Sequence, residues 1–175
     1  DRAVFPFHLQ QDQAHMLSFG QWRIVLLNSA VVDQVDGWIS EAQLTQLDQI
    51  LSAHPEQHVI IACHHHPFAM QSLWIDQHKL KNSTHLMHVI AKHQNVKVVL
   101  YGHVHQDSSN EWHGVQFLST PSTSIQFKPQ SDTFALDESF PGYRVLNLKE
   151  NWEFSTEVVR VKINQPKINI EISGY

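Results

Sequence analysis

Two short histidine motifs, each directly after an apolar run, carry the residues of this chain that are best suited to chemistry. The first is Cys-His-His-His-Pro at residues 63–67, after the apolar run 59–62, and the second is Gly-His-Val-His at residues 102–105, after the apolar run 98–101. Imidazole nitrogens are common metal ligands and the usual acid–base groups near neutral pH. Either motif alone could consist of packed or hydrogen-bonded rings, but the two together, after successive apolar runs, predict a metal centre.

The spacing within the second motif leaves two arrangements of its rings open. In an extended segment alternate side chains point the same way, so His103 and His105 would face one region. At a strand-to-loop junction the two rings would instead diverge onto neighbouring metal ions. Gly102 permits an unusual backbone angle or a close approach by another chain segment.

The apolar runs and the segments between them predict an α/β fold. Strands are expected at residues 22–27, 59–62 and 96–101, and their nearly continuous apolar character is typical of parallel strands covered on both faces. One helix is expected after the capping-box sequence Ser-Glu-Ala-Gln at residues 40–43, in which the glutamine would reach back to the helix start, and another over residues 84–93. The strands before the two motifs are then neighbours whose carboxyl ends share one edge, where open α/β sheets bind ligands.

The second half of the chain is predicted to be richer in strands than in helices. Three strands are expected, at residues 115–118, 143–148 and 152–161, with a turn at 149–151. Residues 126–142 contain two prolines and many polar side chains, which predicts a long loop. The tail at residues 166–175 is expected to lie on the surface.

Composition indicates one globular domain that spans residues 1–175. The chain is 42% hydrophobic and 17% charged, which is typical of folded proteins. A net charge of −5 without any Lys/Arg-rich run argues against a nucleic-acid partner, and no apolar run is long enough to span a membrane. Cys63 is the only cysteine and no signal-peptide pattern is visible, so a reducing, cytoplasmic location is expected.

Taken together, the two motifs resemble a known family. His-His-His-Pro followed by Gly-His-Val-His looks like the calcineurin-type metallophosphoesterases. The segments Trp-Ile-Asp-Gln-His at residues 74–78 and Thr-Pro-Ser-Thr-Ser-Ile-Gln-Phe-Lys-Pro at residues 120–129 narrow the resemblance to the bacterial 3′,5′-cyclic AMP phosphodiesterases of the Icc type. The resemblance runs from about residue 22 to residue 175 and so covers nearly the whole chain.

This resemblance implies a four-layer α/β/β/α sandwich with mixed sheets and a centre of two divalent ions, usually iron, manganese or zinc. In the family pattern His65 and His103 share one ion, and His105 binds the other. His64 and His66 are then neighbours that could contact the substrate. The ions would polarise the phosphate and activate a bridging water for in-line attack on phosphorus. The general acid stays unassigned.

The segment at residues 120–129 supplies weaker candidates for the substrate site. Gln126 and Phe127, with Lys128 beside them, would lie at the rim of that site or simply shape the loop. The ligand implied by the resemblance is a cyclic nucleotide or another small phosphodiester. The mild acidity of the chain does not exclude such an anion, because bound metal ions supply local positive charge.

The chain departs from the family pattern in its carboxylates. It contains no Gly-Asp and no Gly-Asn-His sequence, which the family places in its N-terminal part. Asp76-Gln77-His78 matches Asp-x-His formally, but it comes after the triple histidine and follows no apolar run, so it is discounted. We therefore expect the C-terminal portion of such an enzyme, whose three imidazoles hold at most one ion together with water. An incomplete sheet would expose an edge and favour a homo-oligomer.

Three functions are compatible with these observations. In the first, the parent protein is a metal-dependent phosphodiesterase that hydrolyses 3′,5′-cyclic AMP to 5′-AMP, and this chain alone is weakly active or inactive. In the second, the same chemistry acts on another phosphodiester. In the third, the chain is a non-catalytic binding or assembly module that keeps an inherited fold.

Overall fold

A six-stranded mixed sheet forms the centre of the structure, a computed structural model that describes residues 12–162. Its strands are β1 (His15–Phe19), β2 (Trp22–Leu26), β3 (His58–Cys63), β4 (Val96–Tyr101), β5 (Ser109–Trp112) and β6 (Val115–Ser119), and their order is β1-β2-β3-β4-β6-β5. The four inner strands are parallel, whereas β1 and β5 pair antiparallel at the edges. The predicted α/β class and mixed sheet are confirmed.

Three helices lie among these strands: α1 (Glu41–Ala53), α2 (Leu73–Asp76) and α3 (Ser83–Ile90). As predicted, Ser40 caps α1, because its hydroxyl accepts a hydrogen bond from the Gln43 amide at 3.4 Å. The Gln43 side chain reaches across to Asn28, where it accepts from the main-chain N–H at 2.7 Å and donates to the C=O at 2.9 Å. This pair of hydrogen bonds fixes the chain just after β2, where the functional site begins.

The two faces of the main sheet bury different sets of side chains. Because side chains alternate along a strand, Val25, Ile61 and Val99 face one side while Trp22, Ile60 and Val98 face the other. On the first side the sheet packs against α1 and α3, and the α1 residues Leu44, Leu47 and Leu51 are buried there. Each such side chain contributes about 1.5–3 kcal/mol when it is fully buried.

The segment predicted as a loop at residues 126–142 contains two short strands. β7 (Gln126–Phe127) pairs antiparallel with β8 (Leu136–Asp137). A strand of two residues is too short to show a period in the sequence, so the pattern could not separate it from a loop. The remainder of the segment connects these strands to each other and to the hairpin described next.

A long hairpin covers the second face of the main sheet. It consists of β9 (Gly142–Leu148) and β10 (Phe154–Arg160), which are joined by a turn in the predicted position. Leu146, Leu148 and Phe154 pack against the cluster that contains Trp22. The Trp22 indole also donates to the Lys149 C=O at 2.9 Å. The described residues therefore supply three layers in the order helices, main sheet and hairpin.

Other boundaries differ from the predictions for local reasons. The last strand begins at Phe154 and not at Trp152, because Trp152 has a φ of 74° and belongs to the turn. The second predicted helix ends at Ile90 and not at residue 93. The predicted surface tail at 166–175 lies outside the described residues. Within residues 12–162 no helix has the length and apolar character that a bilayer crossing requires.

Candidate metal centre

The two histidine motifs meet at the carboxyl edge of the main sheet. β3 and β4 are parallel neighbours, with Cys63 opposite Tyr101 at their ends. The pairing continues one step further, because the Gly102 N–H donates to the His64 C=O at 3.0 Å. The prediction that these strands are neighbours and share an edge is confirmed.

Three histidines at this edge bring their ring nitrogens together. His64, His65 and His103, here called the three-histidine cluster, each offer one ligand atom, and these atoms all lie within 4.8 Å of one another. His64 Nε2 and His103 Nδ1 are 3.1 Å apart. Since metal–imidazole bonds are about 2.1 Å long, two nitrogens on one ion lie at most about 4.2 Å apart. Small side-chain movements would therefore let the cluster hold a divalent ion.

Contacts from the loop after β2 orient His65, which is only 5% exposed. The Ser29 hydroxyl accepts from the His65 main-chain N–H at 3.2 Å and is hydrogen-bonded to ring Nδ1 at 2.8 Å. On the other side of the ring, Nε2 lies 3.2 Å from the Val35 C=O. Gly37 lies directly beside the ring, and a Cβ placed there would come within 2.4 Å of His65 Cγ. Ser29 and Gly37 belong to neither histidine motif and reach His65 only in the folded chain.

Replacement of Ser29 by alanine is expected to weaken metal binding about tenfold. Outer partners of metal-binding histidines typically contribute 10- to 100-fold in affinity because they fix the orientation of the ring. Both hydrogen bonds of the Ser29 hydroxyl are with His65, so its removal should lower metal affinity and have little effect elsewhere. Titration of the protein with Zn²⁺ by isothermal calorimetry measures the change. Ser52→Ala, at the end of α1, is the matched control and should leave the affinity unchanged.

The backbone of the second motif explains where its two rings lie. His103 and His105 have φ values of 66° and 49°, in the left-handed region that non-glycine residues rarely adopt. The segment is therefore not extended, and the rings diverge. His105 lies outside the three-histidine cluster and stacks on Phe127, with ring centroids 4.2 Å apart and planes at 8°. Two such positions cost about 1–3 kcal/mol each and persist only where the surroundings hold them.

Gly102 uses neither of the two features that a glycine permits at this position. Its φ lies outside the left-handed region, and a Cβ placed on it would meet nothing nearer than His64 Nδ1 at 3.7 Å. Neither an unusual backbone angle nor a close approach therefore requires glycine at this position. The residues with the positive φ values of this turn are the two histidines, His103 and His105.

The clustered imidazoles are neutral at pH 7. Burial, together with the neighbouring rings of His65 and His64, lowers the pKa of His103 to about 3. Burial and the His64 ring hold the pKa of His65 at about 4, and burial also lowers the pKa of His64. Burial also lowers the pKa of His105, while a hydrogen bond with the main chain of Ile125 opposes this. A neutral imidazole has one nitrogen with the lone pair that a metal ion needs. Buried His103 Nε2 has no hydrogen-bond partner among the described residues, and His65 would exchange one of its two hydrogen bonds for the ion, so the donor set fits a divalent ion.

His66 lies behind the cluster, where its ring is completely buried. Its Nε2 is 3.4 Å from Asp76 Oδ1, and its ring is nearly parallel to His103 at a centroid distance of 6.1 Å. Burial lowers the pKa of His66 to about 4, although Asp76 opposes this. The ring of His78 lies 6.0 Å from His103. The segment Asp76-Gln77-His78, which was discounted from its sequence position, therefore lies next to the cluster. Its Asp-x-His pattern was the sequence feature that could have indicated this.

The remaining candidates shape the loop after β6. Gln126 is 2% exposed and bonds with its amide to the main chain of Ser122, and Arg160 donates to its Oε1 at 3.1 Å. Phe127 is 4% exposed beneath His105. Lys128 is exposed, and its N–H donates to the Ala135 C=O. Cys63 is half-buried, and burial of its thiol raises the pKa to about 12, which disfavours the thiolate at pH 7.

Known proteins similar to this chain point to one family. No protein-family model matches the chain. It is 40% identical over 161 residues to the 3′,5′-cyclic adenosine monophosphate phosphodiesterase CpdA of Haemophilus influenzae. The aligned region covers 92% of the chain and 59% of that protein. It is also 42% identical over 147 residues to a 3′,5′-cyclic-nucleotide phosphodiesterase of a Nostoc species. That alignment covers 84% of the chain and 55% of the relative. The chain thus spans somewhat more than half the length of these relatives.

A solved structure gives independent support for the fold. A dimetal phosphatase from Danio rerio superposes with a TM-score of 0.54 at 19% identity, over 76% of the chain and 56% of that protein. At this identity the likeness concerns the fold alone. The resemblance predicted from the histidine motifs is confirmed, and the chain is a homologue of the bacterial 3′,5′-cyclic-nucleotide phosphodiesterases with the metallophosphoesterase fold.

Proposed function

We propose that the protein is a metal-dependent phosphodiesterase that hydrolyses 3′,5′-cyclic AMP to 5′-AMP in the cytoplasm. The observation that carries the proposal is the three-histidine cluster, in which loops after two parallel strands bring neutral imidazole nitrogens within 4.8 Å of one another. A divalent ion held there would polarise a phosphodiester and lower the pKa of a bound water. Relatives at about 40% identity carry this activity in their names.

The proposal assigns different parts to the histidines of the two motifs. His65 and His103 would bind one ion of iron, manganese or zinc, with His64 completing the set of imidazoles. His105, which points away from the cluster, would bind a second ion. The group of ligand atoms found among residues 12–162 contains no carboxylate, and a pair of cations needs one between them. The described residues are therefore expected to hold one ion on their own.

Neutral ligands leave the positive charge of the ion undiminished. Since the cluster contributes only imidazoles, an ion bound there keeps its full charge and attracts the anionic phosphodiester strongly. Burial of His65 behind Ser29 and Val35 keeps its ring in one orientation, which limits the rearrangement needed on binding. The chemistry favours a small phosphodiester as substrate.

The proposal is tested by hydrolysis of cyclic AMP with the full-length protein in the presence of Mn²⁺. Release of 5′-AMP, followed by chromatography, is the expected result. Bis(p-nitrophenyl) phosphate serves as a second substrate. Hydrolysis of this compound without hydrolysis of cyclic AMP would favour the alternative of another phosphodiester. If neither is hydrolysed with Mn²⁺, Fe²⁺ or Zn²⁺, the proposal is wrong. Metal analysis of the 175-residue chain alone should give one ion per chain.

A further inference from the structure

Three aromatic rings form a closed group beside the second histidine motif. Trp74, Phe127 and Phe134, here called the aromatic trio, meet edge to face, with centroid distances of 5.0 Å between Trp74 and each phenylalanine and 5.7 Å between the two phenylalanines. Trp74 and Phe127 are 8% and 4% exposed. The cluster to which they belong is separate from the cores on the two faces of the main sheet.

The aromatic trio contacts the Gly-His-Val-His turn at two of its residues. Val104, between the two histidines, is fully buried in the same cluster. The Phe127 ring lies parallel to the His105 imidazole at 4.2 Å, and the Phe127 N–H donates to the His105 C=O at 3.4 Å. Phe127 therefore fixes both the ring and the main chain of His105.

This support is needed because the turn has a conformation that its own residues do not favour. His103 and His105 both have positive φ values, and neither is a glycine. Contacts from elsewhere in the fold must hold such a turn. Trp74 comes from α2 and Phe127 from β7, so segments on both sides of the motif in the sequence provide them.

We infer that Phe127 is a positioning residue, and that the aromatic trio holds the His105 imidazole in the orientation in which it binds metal. A parallel stack covers one face of the imidazole and leaves its edge open, where the buried Nδ1 has no hydrogen-bond partner among residues 12–162. A ring fixed in this way loses little rotational freedom when it binds. The inference rests on the proposed function in that His105 is a ligand of the second ion. It replaces the expectation that Phe127 contacts substrate.

The first test compares Phe127→Leu with the wild-type full-length protein by Co²⁺ titration. Leucine keeps the site apolar but removes the stack, so the affinity for one of the two ions should fall about tenfold while the other is unchanged. Phe154→Leu is the matched control, since Phe154 packs against Trp22 on the far face of the sheet. This control should lower stability without changing either affinity.

A double-mutant cycle separates positioning from packing. In the His105→Ala background, Phe127→Leu should change the Co²⁺ affinity less than about twofold, because the ring that it positions is gone. Equal effects in both backgrounds would overturn the inference, as would an unchanged affinity in Phe127→Leu or in His105→Ala. If Phe127→Leu does not fold, the same double-mutant cycle is measured with Phe134→Leu, because Phe134 contacts Phe127 in the trio. Wild-type protein that binds two ions but does not hydrolyse cyclic AMP would contradict the proposed function and leave this inference standing.

Discussion

The His103→Ala variant is expected to lose metal affinity and phosphodiester hydrolysis by at least about 100-fold while it remains folded. His103 is the centre of the site, because its Nδ1 lies 3.1 Å from His64 Nε2 and its ring is 4.9 Å from that of His65. Outer partners of a metal ligand already contribute 10- to 100-fold, so loss of a ligand itself should cost more. Zn²⁺ titration and cyclic AMP hydrolysis measure the two losses, and urea denaturation checks the fold.

The matched control is a histidine outside the cluster. His85 is exposed on α3, where its Nδ1 is 2.9 Å from Glu41 Oε1. Exposed ion pairs contribute little to stability, so His85→Ala should keep wild-type metal affinity and activity. Wild-type affinity in His103→Ala would show that the three-histidine cluster is not the metal site. Equal losses in both variants would point to a general effect of histidine replacement.

The inner strands could be predicted because burial on both faces leaves a clear mark on the sequence. The run that becomes β3 is almost wholly apolar, and both faces of that strand are covered, by helices and by the hairpin. β5, with the sequence Ser-Asn-Glu-Trp, is an exposed edge strand. Its polar residues are typical of a loop, and it is a strand only because it pairs with β6. α2, with four residues, is too short to show a helical period. The sequence pattern therefore failed to predict elements that are very short or that depend on pairing with another strand.

The candidate metal centre could be predicted in its location but not in its geometry. Strand ends bring His65 and His103 together, as their positions after two parallel strands require. The direction of His105 depends on a left-handed turn at His103, which an alternating pattern cannot reveal. Ser29 lies far from the motifs in sequence and reaches His65 only through the pairing of β2 with β3. Contacts of this kind exist only in the folded chain.

Replacement of Gly37 by alanine is expected to lower metal affinity by 10- to 100-fold and stability by about 1–3 kcal/mol. The added Cβ would lie 2.4 Å from His65 Cγ and 2.5 Å from its Nδ1, a separation that real Cβ atoms do not show. The Gly37 backbone cannot easily yield, because its N–H donates to Lys79 and its C=O accepts from Lys81. The His65 ring must therefore move away from Gly37, which disturbs the orientation that Ser29 and Val35 give it. Zn²⁺ titration and urea denaturation measure the two effects.

Gly102→Ala is the control that identifies the cause of such a loss. Gly102 also lies beside a histidine of the cluster, but a Cβ there would meet His64 Nδ1 at an ordinary 3.7 Å, and its φ suits alanine. This replacement should leave metal affinity within about threefold and stability unchanged or higher by about 0.4–1 kcal/mol, since alanine restricts the unfolded chain. Equal losses in Gly37→Ala and Gly102→Ala would argue against a specific clash with His65. Because both glycines touch the same cluster, a loss confined to Gly37→Ala would attribute metal affinity to the orientation of the His65 ring.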